Sequence, residues 1–136
     1  MRGRPEAKRD GAPVLAVRSK VWFVRDGEHA FGPGLARLLQ GVERHGSLRA
    51  AARAERMSYR HAWAELRHAE RALGTPLILR RAGGVGGGGS TLSDDGRRML
   101  ELFDRVSKET AEHADACFAC MVKGAPDGAV RTDDSA

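Results

Sequence analysis

Apolar positions recur along this chain with more than one period. In "LARLLQGVERHG", Leu35, Leu38, Leu39 and Val42 return at intervals of three and four, which predicts an amphipathic helix entered through Pro33 and Gly34 and closed by Gly46. The next segment, "SLRAAARAE", opens on Ser47, a helix-capping residue type, and is apolar at Leu48, Ala51 and Ala52. "RMS" breaks it. Ser58 then caps "YRHAWAELRHAERALG", whose apolar stripe is Ala62, Trp63, Leu66, Ala69 and Leu73 and whose stop is Gly74. Upstream, "VLAVRSKVWFVRDG" puts Val17, Val21 and Phe23 on one face of an extended chain, the pattern of an edge strand. Downstream, Leu77 to Arg81 reads as a short strand and "STLS" as its hairpin partner, with a glycine run between them. Ser93 caps a long last helix, with Asp94 and Asp95 at its positive end. Met99, Leu100, Phe103, Val106, Thr110, Ala114, Cys117 and Met121 follow it at helical spacing.

The order of elements is strand, helix, short helix, tight turn, helix, hairpin, long helix. It predicts a mainly α fold with a small β-hairpin wing: a winged helix-turn-helix with a long C-terminal dimerisation helix. Residues 1–13 are expected to be a disordered arm, 14–121 the DNA-binding and dimerisation domain, and 122–136 a flexible tail.

Charge sharpens this reading. The 136 residues carry 23 Lys and Arg against 18 Asp and Glu, net +5, and arginine supplies most of the cations. From Arg44 to Arg81 there are nine arginines and three glutamates, so the predicted helix-turn-helix holds the whole excess. Arginine suits phosphate because its planar fork donates two parallel bonds. No apolar stretch reaches spanning length and no signal-peptide core is visible, so a cytoplasmic protein without membrane contact is expected. No HExxH, GxSxG or paired-carboxylate pattern occurs, which argues against an enzyme. Gly84, Gly86 and Gly89 match GxGxxG, but no βαβ unit surrounds them and no Lys-Ser or Lys-Thr pair follows, so neither nucleotide-binding loop applies and no cofactor is expected.

In a helix-turn-helix the second helix enters the major groove and the first crosses the backbone. Small residues at Ala50, Ala51, Ala52 and Ala54 would let those two helices approach, with Trp63 and Leu66 anchoring the second from behind as core. Tyr59, Arg60 and His61 then face the base edges, and Arg60 is matched to guanine O6 and N7. Ser47, Arg49, Arg53, Arg56 and Arg67 are placed for phosphates. His45 and His68 carry no ligand-like spacing and are expected at the surface.

"GS" at Gly46-Ser47, "AA" at Ala51-Ala52, "SY" and "AW" at Ser58-Tyr59 and Ala62-Trp63, and a glycine run followed by "TLSDDG" together resemble the N-terminal DNA-binding domain of the ModE family of molybdate-responsive transcription regulators, relatives of the LysR-type winged helix. The resemblance runs from about Val17 to Ala119. It implies a homodimer on a palindromic operator in double-stranded DNA, with Ser58, Tyr59, Arg60 and His61 toward the groove and a wing on the backbone or minor groove. Two departures stand out. Val85 occupies the glycine run where members usually have Lys, and the run is one residue shorter, so Arg80 and Arg81 are the cations left to the wing. The chain also looks like a short, single-domain member, and molybdate binding is not expected of it.

The wing is Gly84, Gly86, Gly87, Gly88, Gly89 and Ser90. Its glycines would let the backbone lie against a sugar-phosphate edge, and alanine at Gly86 to Gly89 is expected to weaken DNA binding without disturbing the fold. The stripe Met99, Phe103, Val106, Thr110 and Ala114 is the dimerisation surface, its early turns also inward. His113, Cys117 and Cys120 share a helical face that would suit zinc or copper(I), but a closed site needs a fourth ligand, and small residues filling a helix contact is the preferred reading. Two alternatives stand beside a DNA-binding regulator: a winged-helix interaction module that has lost DNA binding, and a regulator gated by metal or redox chemistry at the cysteine face.

Overall fold

The computed structural model describes residues 14–83, 88–126 and 128. Among them the elements run β1 Phe23–Arg25, β2 Glu28–Phe31, α1 Pro33–His45, α2 Leu48–Ala54, α3 Tyr59–Leu73, β3 Ile78–Arg80, β4 Ser90–Leu92 and α4 Asp94–Met121, with a 3-10 turn at Val122–Gly124. β1 pairs with β2 and β3 with β4, both antiparallel, as separate two-stranded sheets. The fold is a winged helix-turn-helix with a long C-terminal helix. The chain divides into two compact units. One is Val21–Val106; the other comprises the described residues before and after it. No described helix is long and apolar enough to cross a membrane.

The capping residues act as their chemistry dictates. Ser47 Oγ accepts from Ala50 N at 3.1 Å, Ser58 Oγ from His61 N at 3.0 Å, and Ser93 Oγ from Gly96 N at 2.9 Å. Gly46 and Gly74 end α1 and α3 in the left-handed region, at φ 77° and 75°. The turn between α2 and α3 has the same backbone form without glycine. Arg56 sits at φ 55°, its N–H donating to Arg53 and that of Met57 to Ala52, a Schellman closure.

Phe31, Leu38, Leu39, Val42, Leu66 and Leu77 are fully buried, and Ala51, Ala52 and Ala62 join them. α1 and α2 approach closely: a Cβ on Gly41 would lie 2.8 Å from that of Ala51. Ala54, expected to ease helix contact, is exposed. The α4 entry is equally tight. Ser93 donates through its N–H to Leu77 O and through Oγ to Pro76 O, and a Cβ on Gly96 would overlap the Leu77 carbonyl. The glycine of "TLSDDG" is there because α4 begins against the backbone that leads into β3.

One expectation changes, and another is made specific. The single edge strand before α1 is a hairpin: β1 turns at Asp26 (φ 52°) and Gly27 (φ 80°) into β2, with Arg25 opposite Glu28 and Phe23 opposite Phe31. Two consecutive positive φ values are the type I′ geometry that Asp-Gly favours. Phe103, set in the dimer stripe by its spacing, is 5 % exposed. Its ring lies 5.5 Å from that of Phe23 and 5.3 Å from that of Phe31, so this side chain belongs to its own unit's core. Met99 is half-buried against that core, while Val106 and Ala114 are half-buried and Thr110 is exposed.

Candidate nucleic-acid interface

α3 begins at Tyr59 and presents Arg60 and His61 to solvent. His61 Nε2 lies 3.6 Å from Glu65 one turn on. Tyr59 is different. It is half-buried, the Arg49 guanidinium lies 4.2 Å from its ring centroid, and Arg80 Nη2 donates to its hydroxyl at 3.0 Å. The Arg80 guanidinium also stacks 4.2 Å from the Trp63 ring, which Arg67 approaches at 5.4 Å. Trp63 is therefore at the rim of the core, half-buried, with cations over its ring. The apolar stripe alone could not reveal this, because it does not show that β3 runs past the first two turns of α3.

Ser47, Leu48, Arg49, Tyr59, Arg80, Arg81, Gly88, Gly89 and Ser90 line one open cleft of about 210 Å³. Residues drawn from the α2 start, the α3 start and both wing strands thus converge, and among the described residues no carboxylate lines the cleft. The wing is tied to the α1–α2 junction by Ser90 N, which donates to Gly46 O at 2.7 Å, and is closed on itself by Arg81 N, which donates to Gly89 O at 2.8 Å. Arg53 and Arg56 are exposed near the C-terminal end of α2, outside the cleft. Arg67 lines a different, shallower hollow with Glu70, Arg71, Gly74, Thr75 and Pro76.

The wing glycines divide. Gly84, Gly86 and Gly87, with Val85, lie outside the described residues. Gly89 has a structural reason of its own, since a Cβ there would come within 2.8 Å of Gly46 O and of Arg81 Nη2. A Cβ on Gly88 would lie 3.0 Å from Arg81 O. The expectation that alanine at these two positions leaves the fold undisturbed is corrected: Gly89 is needed for the hairpin to close on the α1–α2 turn. Ser90 is buried within that closure.

Sequence reasoning missed two supports of α3. Arg25 Nη1 donates to Leu73 O at 2.6 Å at the helix C-terminus, and the Asp26-Gly27 pair was the signal for the hairpin that delivers it. Glu70 Oε2 accepts from Leu77 N at 2.8 Å, tying the α3 end to the strand that follows. His45 and His68 are exposed as expected, His68 Nε2 lying 3.1 Å from His29 O. His113 Nε2 and Cys117 Sγ are 3.4 Å apart, Cys120 is exposed, and the described residues hold no group of three or more His, Cys, Asp or Glu able to bind a metal ion.

Residues 34–97 match the bacterial regulatory helix-turn-helix family of the LysR type. The same segment is similar to ModE transcription regulators. It is 37% identical over 82 residues to the transcriptional regulator ModE of Haemophilus influenzae, covering 60% of this chain and 32% of that protein. It is 40% identical over 73 residues to the molybdenum transport protein ModE of Azotobacter vinelandii, covering 54% and 27%. It is 31% identical over 71 residues to the DNA-binding transcriptional dual regulator ModE of Escherichia coli, covering 52% and 27%. The chain thus spans about a third or less of the length of these curated relatives. A LysR family transcriptional regulator of known structure superposes with a TM-score of 0.47 at 17% identity, covering 57% of this chain and 25% of that one.

Proposed function

We propose that the chain is a DNA-binding transcription regulator that acts as a homodimer on a palindromic operator and has no catalytic chemistry of its own. The observation that carries this is the cleft between α2, α3 and the wing, lined among the described residues by arginines and by no carboxylate, beside an α3 start that leaves Arg60 and His61 open. Arg60 reads a base edge from the major groove, with His61 beside it. Arg49, Arg53, Arg56, Arg81 and the Ser47 end of α2 meet the phosphates. The half-buried and exposed later positions of α4, Val106, Thr110 and Ala114, pair with a second copy. Such two-fold pairing sets the two recognition helices about 34–36 Å apart, one duplex turn. Only DNA binding is carried to this chain from the ModE regulators; a molybdate response is not. A cytoplasmic protein fits this role.

Selection of duplexes from a random-sequence library, followed by affinity measurements between 50 and 200 mM salt, roughly the range over which phosphate contacts show, tests the reading. The expected result is a two-fold symmetric selected site and a steep fall of log affinity with log salt. Arg60→Ala is expected to relax discrimination at one base pair per half-site by about 1–3 kcal/mol. A flat salt response would favour the interaction module instead.

A further inference from the structure

Arg80 looks from sequence like a wing cation aimed at phosphate. In the folded chain its guanidinium is already engaged on two sides. Its Cζ lies over the Trp63 ring, 4.2 Å from the centroid, and Nη2 donates to Tyr59 Oη at 3.0 Å. Tyr59 in turn carries Arg49 4.2 Å from its own ring centroid. The result is a ladder, Arg49 on Tyr59, Tyr59 bonded to Arg80, Arg80 on Trp63, that runs from α2 through the first turns of α3 to β3. A planar group stacks and donates in its plane at the same time; a tetrahedral ammonium cannot reproduce both contacts from one place.

The location matters as well. The N-terminal end of a helix carries partial positive charge, so a cation gains nothing there from the backbone. Arg80 is held against the start of α3 by aromatic faces and a phenol oxygen instead. We propose that Arg80 is a positioning residue: it fixes the angle of the wing against the recognition helix and occupies the Tyr59 hydroxyl. Tyr59 is then a strut and not a base reader, and the reading of bases falls to Arg60 and His61. This rests on the DNA-binding function proposed above.

The test compares Arg80→Lys with Arg80→Ala, using the duplex that the unaltered chain selects from a random library. A phosphate contact would survive in Arg80→Lys, and Arg80→Ala would lower the salt slope by about 0.9. A positioning residue behaves otherwise. Both variants are expected to lose affinity about tenfold, the scale of one stacked cation and one hydrogen bond, with the slope unchanged. Tyr59→Phe is expected to weaken all sequences alike, leaving base preferences as they were, and to make Arg80→Ala less damaging when the two are combined. Affinity of Arg80→Lys within about twofold of the unaltered chain, a reduced slope in Arg80→Ala, or a base preference altered by Tyr59→Phe each overturns the assignment. If no duplex is selected, the DNA-binding reading has failed and the DNA-free protein decides about Arg80. The indole N–H resonance of Trp63, told from that of Trp22 with Trp22→Phe, is expected to shift in both Arg80 variants; an unmoved resonance refutes the contact.

Discussion

The two hairpins of this chain each bring an arginine to the recognition helix, at opposite ends and by opposite physics. β1 carries Arg25 to the C-terminus of α3, where Nη1 meets Leu73 O at 2.6 Å and Ala72 O at 3.4 Å. There the unpaired carbonyls and the negative end of the helix attract a cation. β3 carries Arg80 to the other end, where the backbone offers no such attraction and the contacts are Trp63 and the Tyr59 hydroxyl. Both hairpins feed the core, the first through Phe31 and the second through Ile78 and Leu92, while Leu79 and Arg80 are exposed. Each hairpin is thus part of the core with an arginine at its edge, the first arginine received by helix carbonyls and the second by aromatic residues of α3. Clasped in this way, α3 is fixed at its far end by a cation on carbonyls and at its near end by a cation on aromatic side chains, beside the proposed DNA face.

The comparison breaks first at the core. Phe31→Ala removes the ring that joins Phe23 and Phe103 and is expected to cost about 3–5 kcal/mol, enough to unfold a domain of this size in large part. Chemical denaturation would show it, and DNA binding would go with the fold. The next effect separates the two turns. Gly89→Ala meets the Gly46 carbonyl and is expected to cost about 2 kcal/mol, as overpacking against a fixed backbone does. Gly27→Ala meets nothing within 4 Å and is strained only by its φ of +80°, so about 1 kcal/mol is expected. Asparagine discriminates the causes: it tolerates positive φ, so Gly27→Asn should recover much of that loss, whereas Gly89→Asn should be as damaging as alanine.

The same contrast explains what the sequence made legible. All three serine caps, both glycine stops and the order of helices follow from chemistry that acts within a few residues, and the structure has each of them where the spacing put it. The hairpin at β1 is just as local, but an Asp26-Gly27 turn serves equally well as the end of a single strand. The contacts that define the face were of another kind. Tyr59 and Arg80 are 21 residues apart, and nothing in either segment announces that one will accept a hydrogen bond from the other. Phe103 shows the same limit. Its helical spacing suited a dimer stripe and a core equally, and the choice was made by Phe23 and Phe31, far away in the chain. Gly89 carried a sound signal, a need for close backbone approach, but the partner is the chain's own Gly46 carbonyl.

The smallest expected effect is the one that tests whether the two clasps have separate duties. Arg25→Ala removes an exposed cation from the α3 C-terminus, and the loss should be only about 0.3–1 kcal/mol of stability, smaller at high salt. Arg25 lines no part of the cleft, so the salt slope of DNA binding should stay within about 0.3 of the unaltered value, well below the 0.9 or so of one lost phosphate contact. Melting temperature would therefore fall while the slope held. Arg81→Ala is the natural counterpart: Arg81 lines the cleft, so the slope should fall by about 0.9 with little change in melting. A slope lowered by Arg25→Ala would mean that the first hairpin reaches DNA too, and that the two ends of the helix share one task.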